Sequence, residues 1–83
     1  MGFFDFLFRR RSGDQDGSSP ENAIVVGSVA EEYAWMQRHC AGFRPGMQSL
    51  QEIGGKPYDV LTWHNAKGEE RTVYFDISGF FGR

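Results

Sequence analysis

Two stretches late in the chain alternate apolar and polar residues with a period of two, and this alternation limits the fold more than any other feature. Val73, Phe75 and Ile77 share one side of a strand over 69–77. Leu61 and Trp63 share one side of a strand over 57–64, and Tyr58 and Val60 occupy the other. The resulting sheet is apolar in part on both faces, so both faces need cover.

The strands are joined by local chemistry. Gly54-Gly55 reads as a two-residue hairpin turn after a strand over 47–53, and Asn65-Ala66-Lys67-Gly68 as the next turn, with Gly68 available for a left-handed position. Upstream, Ala23-Ile24-Val25-Val26 is a β-branched run ended by Gly27, the pattern of a short buried strand. Ser28-Val29-Ala30-Glu31 then fits a capping box, in which Ser28 accepts from the amide of Glu31 and the Glu31 carboxylate returns to the amide of Ser28. Arg38 and His39 suit the negative end of a helix dipole, Gly42 a left-handed stop and Pro45 a bar to continuation, so the helix spans 28–41. Its apolar stripe is Val29, Ala30, Tyr33, Met36 and Cys40, with Trp35 and His39 lying off it. The fold class is therefore α+β: β-α-β-β-β, one helix packed on a mostly antiparallel sheet of about four strands. The place of the first strand in that sheet is left open.

One helix covers one face. The other apolar material is Phe80-Phe81, a second copy of the chain, or the segment Phe3-Phe4-Asp5-Phe6-Leu7-Phe8 followed by Arg9, Arg10 and Arg11. Residues 12–22 contain no aliphatic or aromatic side chain apart from Pro20, so they have nothing to bury and read as a flexible polar linker with a reach of roughly 17–20 Å. Three units follow: an aromatic and arginine-rich N-terminal arm over 1–11, the linker over 12–22, and a small α+β domain over 23–83. As a strand the arm lines Phe4, Phe6 and Phe8 on one side, suited to adding to a sheet edge of its own chain or of a neighbour. As a helix it presents Phe3, Phe4 and Leu7 beside Arg9, Arg10 and Arg11, suited to weak contact with a membrane surface.

At 83 residues and a net charge of −2, the chain makes one domain with a thin core and no global positive field, which argues against nucleic acid as a partner. The single cysteine, Cys40, excludes an internal disulfide and points to a reducing, cytoplasmic setting. No run reaches the roughly 20 apolar residues of a membrane span, and no secretory signal pattern is present. His39, Cys40 and His64 lack metal-ligand spacing, and no glycine pattern forms a phosphate loop, so neither a metal nor a cofactor is expected. Cys40 as the nucleophile of a small thiol enzyme is the weakest reading, because it falls on the core stripe. Asp76 and Ser78 at a strand end read as a turn cap. Tryptophan favours interface centres, so the partner-binding candidates are Trp35, His39 and Trp63 together with Phe4, Phe6 and Phe8. These residues point to a non-enzymatic protein-interaction module, bound to a protein partner or a second copy of itself. A peripheral membrane-surface protein anchored by the arm is the alternative.

Overall fold

The computed structural model describes residues 16–82. Over these, one helix packs on a four-stranded mixed sheet. The strands are β1 (Ile24–Val25), β2 (Arg44–Ile53), β3 (Lys56–His64) and β4 (Glu70–Asp76), and the helix α1 is Val29–His39. Their order across the sheet is β1-β4-β3-β2. The β2-β3-β4 meander is antiparallel, and β1 joins it in parallel beside β4, with Ile24 opposite Phe75. This settles the open position of the first strand: β1 and β2 lie at opposite edges, and α1 spans the sheet between them.

The turns follow their chemistry. Gly54 and Gly55 both take positive φ, as the tightest hairpin turn requires. Asn65 Oδ1 accepts from the amides of Lys67 and Glu69, at 3.0 and 2.9 Å, and Gly68 completes the second turn at φ +86°. Ser28 caps α1 by accepting from the Glu31 amide at 3.2 Å. The return bond differs from the expected box: the Glu31 carboxylate accepts from the Gly27 amide, at 2.8 Å, rather than from Ser28. β2 begins three residues earlier than expected. Pro45 is tolerated because β2 is an edge strand, and Gly46 is absorbed as a bulge between Pro45 and Met47.

The core lies between α1 and the sheet. Met36 and Cys40 meet Leu61, Trp63, Val73, Phe75 and Ile77, with Tyr33, Trp35 and Phe80 packed at the margins. The helix is rotated relative to the expected stripe. Val29 and Ala30 are exposed, while Glu32, Met36 and Cys40 form the buried line. On the far face Ala23 clusters with Tyr58 and Val60, flanked by Ile53 and Tyr74. Residues 1–15, which hold the arm and the first part of the linker, lie outside the described residues.

The rest of the linker is not a free tether. Pro20–Asn22 forms a 3₁₀ turn, the Gly17 amide donates to the Asn22 carbonyl at 2.7 Å, and the Gly17 carbonyl accepts from the Tyr74 amide at 2.7 Å. The ordered domain thus starts before Ala23, because hydrogen bonding to a strand edge needs no apolar side chain. Gly17 is buried at φ +79°, and a Cβ there would collide with the Val73 side chain. Gly17→Ala is therefore expected to destabilise the domain by about 2 kcal/mol, from left-handed backbone strain and overpacking. Urea unfolding followed by tryptophan fluorescence measures this, and an unchanged midpoint would show that Gly17 is not held in place.

Candidate functional site

The sequence-derived site residues separate in the fold. Trp63 stands on the helix-facing side of β3 and is only 3% exposed, with the Tyr33 ring 6.0 Å away. It is a core residue and offers no surface to a partner, because α1 covers its face of the sheet. Trp35 and His39, one helical turn apart, stack at 4.2 Å with their rings 24° from parallel. Trp35 also meets the edge of Phe75, at 5.7 Å and 84°, so this tryptophan bridges the core and the surface. Beside it a shallow groove of about 220 Å³ runs between α1 and β1, lined by Ile24, Val25, Val26, Glu31, Ala34, Trp35 and Arg38. Phe4, Phe6 and Phe8, and the membrane-facing set Phe3, Phe4, Leu7, Arg9, Arg10 and Arg11, lie outside the described residues.

The potential chemistry is dispersed. Cys40 caps the C-terminal end of α1 inside the core. His64 sits on the face of the sheet away from α1, over Gly46, with Nε2 3.1 Å from the Glu70 carboxylate. Asp76 is a turn cap, as its position suggested: its Oδ1 accepts from the amide and hydroxyl of Ser78, at 2.9 and 2.7 Å, and Lys56 Nζ lies 3.1 Å from Oδ2. Burial alone would raise the Asp76 pKa, but the Ser78 bonds and the Lys56 ammonium outweigh it and hold the carboxyl below its usual range. Among the described residues no group of three or more His, Cys, Asp or Glu side chains could hold a metal ion. No helix among them is long and apolar enough to cross a membrane.

The larger of these two concavities, about 460 Å³, lies towards the β2 edge of the sheet. Leu50, Gln51 and Glu52 of β2 line it, with Pro57, Ser78 and Phe81. Nothing in the sequence marks this region, because β2 is polar at most positions and its apolar residues gain meaning only once the strand is known to be an edge. Met47 is 69% exposed and Leu50 57%, so the longest strand of the fold carries two large apolar side chains into solvent. The Tyr33 hydroxyl donates to Gln48 Oε1 at 3.1 Å and ties the strand to α1.

One buried group stands apart. Glu32 is fully buried on the underside of α1, and neither of its carboxylate oxygens has a hydrogen-bond partner. Desolvation, reinforced by Asp59 on β3, raises its pKa from 4.5 to about 8. The folded chain therefore retains a proton that the unfolded chain releases. This favours folding fully below pH 4.5 and is lost progressively as the pH rises towards 8. Glu32→Gln, which cannot ionise, is expected to flatten the fall in stability across that window. Chemical denaturation at a series of pH values tests this, and equal slopes for the two proteins would show that Glu32 is not the group responsible.

No protein family, curated protein or solved structure matches this chain.

Proposed function

We propose that this protein is a non-enzymatic interaction module that associates with itself. One observation carries the reading: β2, ten residues long, has no strand on its outer side among the described residues, yet it exposes Met47 and Leu50. A long edge with apolar side chains is a template for another strand, and small domains blunt such edges unless they use them. Only the N-terminal end of β2 is blunted here, by Pro45 and the Gly46 bulge. The thin core of so small a domain gives a second motive, since association buries surface that the monomer cannot. The dispersed placement of Cys40, His39 and His64 favours a binding role over a thiol-dependent one.

Sedimentation equilibrium on the full chain over a wide concentration series tests the proposal. The expected result is an average mass that climbs reversibly from one chain towards two. A mass of one chain at every concentration would overturn it.

A further inference from the structure

The directions of the free hydrogen-bonding groups on β2 follow from bonds at the other side of the sheet. Tyr74 donates its amide to Gly17, and the Asp76 carbonyl accepts from Val26, so residues 74 and 76 of β4 direct their backbone polar groups away from β3. Polar groups alternate in direction along an antiparallel ladder, so Phe75 and Val73 bond to Asp59 and Leu61, and Tyr58 and Val60 turn towards Gln51 and Ser49. Gln48, Leu50 and Glu52 are then the residues of β2 whose amides and carbonyls point outward. The tight Gly54-Gly55 turn, which closes on a bonded pair at Ile53 and Lys56, gives the same phase.

Pro45 and the bulge at Gly46 exclude the first residues of β2 from a regular ladder, leaving Met47–Ile53. We infer that two copies of this chain pair antiparallel through Met47–Ile53, about a two-fold axis at Leu50 perpendicular to the sheet, to make one continuous eight-stranded sheet. This rests on the self-association proposed above and names its surface. In this register Leu50 meets Leu50 of the second copy, and Met47 meets Ile53 on the other face. Gln48 lies opposite Glu52, and about six backbone hydrogen bonds form between Gln48, Leu50, Glu52 and their counterparts.

Polar complementarity supports the register. Glu52 is the only charged residue in the segment, and pairing sets it opposite Gln48 rather than opposite another Glu52. The Gln48 carboxamide accepts from Tyr33 through Oε1, which leaves its amino group as the donor for that carboxylate. Both helices lie on one face of the joined sheet.

Cysteine cross-linking on the full chain tests the register, with the buried Cys40 of the unaltered chain as background. At the two-fold axis the Cα atoms of residue 50 lie about 5.5 Å apart, within disulfide range. Those of residue 48 lie about 14 Å apart, outside it. Leu50→Cys is therefore expected to form a disulfide-linked dimer under mild oxidation and Gln48→Cys not to. Leu50→Lys, at an exposed position, should keep the monomer's circular dichroism and weaken dimerisation at least tenfold. If Leu50→Lys dimerises as the unaltered chain does and Leu50→Cys fails to cross-link, self-association stands but this surface is refuted. A predominant Gln48→Cys cross-link would overturn the register. An unaltered chain that stays monomeric would refute both the register and the broader reading.

Discussion

Everything in this domain depends on a single helix lying flat across one face of a small sheet. Met36 and Cys40 press onto Leu61, Val73 and Phe75, and that contact excludes water from the middle of β3 and β4. Because α1 links strands at opposite edges, it cannot shift towards either without withdrawing cover from the other. Trp35 and Tyr33 widen the covered strip, one reaching Phe75 and the other Trp63. Beyond the strip the helix gives no shelter, and it is there that Leu50 remains open to solvent.

The pattern that could be read in advance was the pattern set by neighbours in the chain. Ser28 with Glu31, the Gly54-Gly55 pair and Asn65 with Gly68 each build a turn or cap within a few residues, and each stands where its chemistry put it. The alternation through 57–64 and 69–77 likewise placed Leu61, Trp63, Val73 and Phe75 on one face. Parallel pairing of β1 with β4 joins residues about fifty positions apart, and nothing local announces it. Strand order decides which strand is an edge, so the exposure of Met47 and Leu50 was hidden for the same reason.

The expected and observed faces of the helix differ because of one residue. Glu32 sits where hydrophobicity alone would place solvent, and assigning it there turned the expected stripe towards Val29 and Ala30. Its burial beside Asp59 is a local conflict that the surrounding apolar contacts are strong enough to enforce. Trp63 is the converse case: a tryptophan suits an interface, but it also suits the thickest part of a thin core.

The shortness of β1 has a further consequence for assembly. In the dimer proposed above, each outward edge of the joined sheet consists of β1, a two-residue strand, and the part of β4 that β1 does not cover. Next to it, Gly17 already occupies the neighbouring amide of β4. Among the described residues each outward edge thus offers a further strand only a short, interrupted template, which favours a proposed assembly that stops at two chains over growth along the sheet.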